Sequence, residues 1–267
     1  MQDRHNVGKV LLALDISPRS RAALETAAAL AGELDVELAG LFVEDINLLR
    51  LSELSFTREI GTFSNVSRPI GLEQVEQALR READEVQRLL AETAARLRLR
   101  WSFHVRRGQI ATELFAQAGE FDLVVLGKRA RLGLRPFDEE MAGVERRLKD
   151  SSPVLAVFDG SASAHRALEL ALRLAEAIGA ELRLLVPAAT DDAFSRHVTE
   201  ANALLAHAGI NPPTCRRIAK AGVELLATVA REEDCGVLVL NSDGQLRRPE
   251  GFATLLNEID CPVVLVL

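Results

Sequence analysis

Two aspartates and one glycine-led basic loop are the residues of this 267-residue chain best suited by type and spacing to do chemistry. Asp15 ends the apolar run "KVLLALD" and Asp159 ends "PVLAVFD", so each carboxylate follows a strand-like segment and precedes a serine and a helix-like one. Gly127 closes "DLVVLG" and opens a loop with Lys128, Arg129, Arg131 and Arg135 ahead of Asp138, Glu139 and Glu140. A glycine at a strand end, followed by cations and a helix start, suits phosphate: backbone N–H groups approach the anion closely and cations add charge-assisted bonds. The three acids oppose this, since a carboxylate near a triphosphate is unfavourable by roughly 1 kcal/mol or more at an effective dielectric of about 20. Two readings of the cations stay open: contact with an anion, or a solvated loop face that neutralises Asp138 to Glu140. In the second half Asn241 stands where the first half has Gly127, and Gly244 follows in the comparable loop. Val43 ends the apolar run "VELAGLFV", a second strand whose carboxyl end is expected to border a cleft beside Asp15, and joins the candidate binding set.

No other constellation points to catalysis. "DGSAS", Asp159 to Ser163, is not G-x-S-x-G, and a strand–turn–helix N-cap accounts for Ser161. His5, His104, His165, His197 and His207 lack metal-ligand spacing. Cys215, Cys235 and Cys261 are odd in number, without C-x-x-C spacing or nearby histidines, and read as reduced, mostly buried thiols rather than a zinc site or disulfide framework. The chain is therefore read as a non-enzyme with no catalytic or metal residues. A formal charge of −7 and arginine pairs without interleaved aromatics argue against a nucleic-acid partner.

These residues must be positioned by a repeated unit. "KVLLALDISPRSRAALETAAALAGELDVELAGLFV", Lys9 to Val43, matches "PVLAVFDGSASAHRALELALRLAEAIGAELRLLVP", Pro153 to Pro187, placing Asp15 on Asp159. A second match, "VRRGQIATELFAQAGEFDLVVLG" with "RIAKAGVELLATVAREEDCGVLVLN", puts Gly108 on Gly222. Each copy alternates strand and helix, which implies parallel sheets with right-handed crossovers. Ser17 is the expected N-cap and Pro18 the first residue of a helix running to about Gly32–Glu33. A long amphipathic helix is expected over Leu72 to Leu99, a helix from about Ile110, and a short one near Glu139 to Lys149. Domain one is set at 1–150, with an apolar insertion at 45–71, and domain two at 151–267.

The join between the copies holds one strand where two are needed. In a doubly wound sheet the first strand is internal, so "SSPVLAVFDGS" cannot also close the preceding sheet. It is assigned to copy two, which leaves copy one without its own fifth strand and with a bare edge. The all-apolar "CPVVLVL" is expected to cover that edge by pairing across the boundary.

Strand–Asp–x–Ser–helix, the late strand "DLVVLG", and closing segments "SPVLAV" and "CPVVLVL" together resemble the universal stress protein family in its tandem two-domain form. The resemblance implies two Rossmann-like α/β domains of strand order 3-2-1-4-5, with ATP held at the carboxyl strand ends. The aspartate after the first strand would contact adenosine, and a loop G-x2-G-x9-G-[ST] would wrap the phosphates. Asp15 and Gly127 match that pattern, but Ala130 replaces the second glycine and Glu140-Met141 the closing pair. In copy two Asp159 and Gly244 match, while Asn241 replaces the first glycine and Pro249-Glu250 the closing pair. The loops are thus degenerate in both copies.

The insertion is too apolar for a free linker; it reads as a cap over copy one's sheet, an inter-domain contact, or a ligand lid. The opening residues lack a leader's apolar core and no run approaches 18 apolar residues, so the expected location is cytoplasmic. The expected function is a non-catalytic stress-response or signalling module without a cofactor, acting through contact between its domains, a protein partner or a homodimer. The alternative is a sensor of ATP or another adenine nucleotide in the first cleft, with or without slow hydrolysis. Neither nucleic acid nor membrane is an expected partner.

Overall fold

The structure is a computed structural model and describes residues 8–15, 17–53, 58–60, 67–69, 71–127, 152–207, 212–219, 222–241 and 249–267. Strand β1 (Lys9–Leu14) leads to helix α1 (Pro18–Leu34), then β2 (Glu37–Asp45) and a short α2 (Ile46–Ser52). A small antiparallel pair, β3 (Arg58–Ile60) with β4 (Ser67–Pro69), precedes the long α3 (Leu72–Leu97). The first half continues with β5 (Trp101–Gly108), α4 (Ile110–Ala118) and β6 (Leu123–Leu126). The second half runs β7 (Val154–Val157), α5 (Ala162–Ile178), β8 (Leu182–Pro187), α6 (Asp191–His207) and β9 (Thr214–Ile218). It ends with α7 (Val223–Glu232), β10 (Val237–Asn241), α8 (Pro249–Glu258) and β11 (Val263–Val266). The helix expected near Glu139 to Lys149 lies outside the described residues.

Nine of these strands form one sheet in the order β5-β2-β1-β6-β11-β10-β7-β8-β9. β7 lies between β10 and β8, and β11 covers the free edge of β6, as strand counting at the join predicts. From β9 inward the second half reads 3-2-1-4-5; from β5 inward the first half reads 3-2-1-4, with β11 in the fifth place. β11 is parallel to β10 and antiparallel to β6, so strand direction reverses at this seam. Its sequence explains how it serves both halves. Val263, Val264, Leu265 and Val266 are each at most 3% exposed, and a strand apolar on both faces suits a sheet covered on both sides. Burying each such side chain contributes on the order of 1.5–3 kcal/mol.

Side-chain alternation builds a layer on each face. Val10, Leu12, Leu38, Phe42, Val264 and Val266 face the cluster that holds α1, α3 and α5. Leu11, Ala13, Leu41, Val43, Val263 and Leu265 face the one that holds α4 and α7. α3 can sit low on β2 because of Gly40: a Cβ there would come within 2.5 Å of Leu90 Cδ2 and 3.1 Å of Phe103 Cδ2. α1 packs against α5 and α4 against α8, so contacts between the halves extend beyond the seam strand. The repeat is also visible in the caps. Ser17 and Ser161 each accept a hydrogen bond from a backbone N–H in the first turn of α1 and α5. Further on, the N-caps of α4 and α7 are Gln109 and Gly222, so pairing Gly108 with Gly222 is one residue out of structural step.

Candidate functional site

In the first half the topological switch falls between β1 and β6, since the chain leaves β1 for β2 on one side and later returns to β6 on the other. The crevice beyond the carboxyl ends at such a point is where open α/β sheets bind ligands. The register pairs Leu14 with Phe42 and Ala13 with Leu126, so Asp15 and Gly127 follow β1 and β6 while Val43, beside Asp15, still lies inside β2, and the three fall in one row across adjacent strands to within a residue. Three of the residues singled out from sequence are thus brought together. Lys128, Arg129, Arg131 and Gly244 lie outside the described residues.

The conformation of Asp15 is set by its own turn. Its Oδ1 accepts from Ser17 N at 2.9 Å, from Ser20 Oγ at 2.7 Å and from Ser17 Oγ, while its N–H donates to Ser20 Oγ at 2.8 Å. One carboxylate oxygen is therefore held by three donors, and a ligand hydroxyl would have to meet Oδ2. Val43 is 2% exposed and belongs to the apolar layer with Ile110 and Leu126, and Gly127 is buried.

Sequence reasoning missed a charged pair beside this row. Glu44 is only 9% exposed and receives Arg107 Nε at 2.8 Å, and Arg107 Nη2 reaches Glu76 of α3 at 3.3 Å. The Glu44 hydrogen bond, with its charge, raises the Arg107 pKa. The signal was the β2–β5 register, which sets Glu44 opposite Arg107; strand boundaries drawn two residues short concealed it.

The insertion begins as α2, capped by Asp45, whose Oδ1 accepts from Asn47 N at 2.9 Å. α2 packs against α3 and β5 with Leu49 buried, so this part of the insertion caps the first half near its outer edge. Residues 54–57, 61–66 and 70 lie outside the described residues.

The second-half crevice, between β7 and β10, is lined differently. Asp159 is exposed and its Oδ1 accepts only from Ser161 N at 3.0 Å among the described hydrogen bonds. Gly160 has φ +78°, a left-handed conformation that favours glycine, and a Cβ there would lie 3.2 Å from both the His197 ring and the Glu200 carboxylate. Those two side chains come from α6 and pack directly on the turn. Glu200 Oε1 is 2.8 Å from His165 Nε2, and the His165 ring stacks on buried Phe158 with centroids 5.4 Å apart. Asn241, 8% exposed, donates its amide to Ser161 Oγ at 3.3 Å and to Ser163 Oγ at 3.2 Å. Where a glycine would leave backbone open to a phosphate, this half presents a side chain engaged with the neighbouring helix start.

Because direction reverses at the seam, the two crevices open on opposite rims of the sheet. Among the described residues no group of His, Cys, Asp and Glu could hold a metal ion, and no helix is long and apolar enough to cross a membrane.

No family model matches the chain, and no curated protein does. Among solved structures, a universal stress protein from Archaeoglobus fulgidus DSM 4304 matches over 98% of this chain and 98% of its own, at 14% identity and a TM-score of 0.55. A protein from Pseudomonas aeruginosa UCBPP-PA14, assigned to the universal stress proteins, matches over 97% of this chain and 93% of its own, at 14% identity and a TM-score of 0.48. The universal stress protein from Archaeoglobus fulgidus in complex with dAMP matches 43% of this chain and 97% of its own, at 16% identity and a TM-score of 0.34. The first of these likenesses establishes the fold, that of a universal stress protein over almost the whole chain; the dAMP is a property of the third protein alone.

Proposed function

We propose that this chain is a non-catalytic, cytoplasmic stress-response or signalling module of the tandem universal stress type, with domains at 1–150 and 151–267 and degenerate nucleotide-binding loops. It acts through protein contacts, with a second copy or another partner, rather than through turnover. The observation that carries this reading is the lining of the second crevice: His197 and Glu200 pack on the Gly160 turn and Asn241 is bound to Ser161 and Ser163, so side chains occupy its rim. In the first crevice Asp15 already spends one carboxylate oxygen on Ser17 and Ser20, and Glu140 stands where the loop's closing glycine would be.

A second reading is favoured by the row formed by Asp15, Val43 and Gly127. In it the chain is a sensor of an adenine nucleotide in the first crevice only, with Lys128, Arg129 and Arg131 meeting the phosphates and Asp159 and Gly244 unused. Isothermal titration with ATP, ADP and AMP separates the two. The module reading expects no saturable heat for any of them. One saturable site per chain, lost in Asp15→Ala and kept in Asp159→Ala, would replace it with the sensor.

A further inference from the structure

Cys235 lies between α7 and β10, and Cys261 between α8 and β11. β10 and β11 are parallel neighbours with Leu238 opposite Val263, so the two turns that lead into them meet at one rim of the sheet. There the two sulfurs are 3.4 Å apart, with Cys235 1% and Cys261 9% exposed. Both turns are fixed by backbone bonds: Cys235 N to Ala230 O at 2.8 Å, Gly236 N to Pro153 O at 2.9 Å, and Leu238 N to Pro262 O at 2.9 Å. A disulfide needs a sulfur separation of about 2.05 Å, so the two side chains must rotate to close the remaining gap. Two thiols 26 positions apart in sequence, with no metal-ligand group around them among the described residues, are thus held in direct contact.

We propose that Cys235 and Cys261 are a disulfide-forming site that responds to peroxide. Cys261, the more exposed sulfur, attacks one peroxide oxygen; the O–O bond breaks, its thiol proton leaves with the released hydroxide as water, and Cys261 becomes a sulfenic acid. The Cys235 sulfur then attacks the Cys261 sulfur, the S–O bond breaks, and the Cys235 proton leaves with that oxygen as a second water. The balance is two thiols and one hydrogen peroxide to one disulfide and two waters. Burial holds the Cys235 thiol well above its usual pKa, which favours Cys261 as the sulfur that meets peroxide first. The bond closes residues 235–261 into a ring that contains β10, α8 and Asn241, and it ties together the entries to both strands at the seam side of the second half.

The test uses the purified full chain, incubated natively with hydrogen peroxide or with dithiothreitol, then alkylated in denaturant, digested and analysed by mass spectrometry. The expected result is a monomer lighter by two hydrogens, loss of two of its three alkylatable thiols, and a Cys235–Cys261 cross-linked peptide that dithiothreitol removes. A Cys215→Ser chain should give the same cross-link. Three thiols still alkylated after peroxide, oxidation confined to Cys215, a cross-link that includes Cys215, or sulfinic acid at Cys235 or Cys261 without a cross-link would each overturn the proposal.

Discussion

Ser20 Oγ accepts the Asp15 N–H at 2.8 Å and donates to Asp15 Oδ1 at 2.7 Å, from a side chain only 2% exposed. The Ser17 hydroxyl also donates to Asp15 Oδ1 but is half-buried, where water can replace part of what it provides. Ser20→Ala strands a buried donor and removes a bond to a charged acceptor, and should destabilise the chain by about 2–3 kcal/mol. Ser17→Ala is an ordinary cap loss of about 1 kcal/mol. Urea unfolding of the two variants gives the order; equal losses would mean that Ser20 does not anchor this turn. Ser17 and Ser161 were legible in the sequence because a cap is local, a serine ahead of a helical period. Ser20 was not, since a serine in a first helical turn shows no sign of which face will meet β1. Asn241 could be read only as a lost glycine, because its bond to Ser161 joins positions 80 residues apart.

On the β9 edge an ionic clasp ties strands to helix. Glu233, just after α7, receives Arg216 Nη1 at 2.7 Å and Arg183 Nη1 at 2.8 Å, and Arg183 Nη2 reaches Glu181 at 2.8 Å. The Arg216 hydrogen bond, joined by Arg183 and opposed by burial, holds the Glu233 pKa below the ordinary glutamate value. A depressed carboxylate contributes its stability in full above the unfolded value and loses it as pH falls through the folded one. Thermal unfolding from neutral pH downward should therefore show stability falling below the ordinary glutamate range, with a shallower fall in Glu233→Gln. A variant whose pH profile parallels the parent would remove Glu233 from the account. Elements with a clear hydrophobic period, such as α1, α3 and β6, were legible to within a residue or two. β2 and β5 run further than read, because Glu44 pairs with Arg107 and Asp45 with Gly108 at their ends, and polar ladder positions leave no mark on hydropathy. α2 went unread as well: seven residues are too few to display a period.

At the scale of the molecule, the missing strand was legible by counting, since two repeats needed ten strand places and the sequence offered nine. The antiparallel seam was not, because direction depends on how the halves meet and no residue type records it. The arrangement makes the halves unequal. Residues 151–267 carry all five strands of their unit and, expressed alone, should unfold cooperatively, with the bared edge of β11 pairing with a second copy. Residues 1–150 alone leave the edge of β6 bare and should be recovered as oligomers or aggregates, because an unpaired strand edge recruits other chains. Size-exclusion chromatography of the two pieces checks this, and a monomeric, folded 1–150 would show that β11 is dispensable to the first half. The seam also has a cost in time. Roughly 140 residues separate Leu126 from Val263, and at about 5–20 residues per second of synthesis β6 waits on the order of ten seconds for its partner. The first half thus stays open to chaperones, or to neighbouring nascent chains, until the second is almost fully made, and a slow ribosome lengthens that exposure as surely as a destabilising mutation.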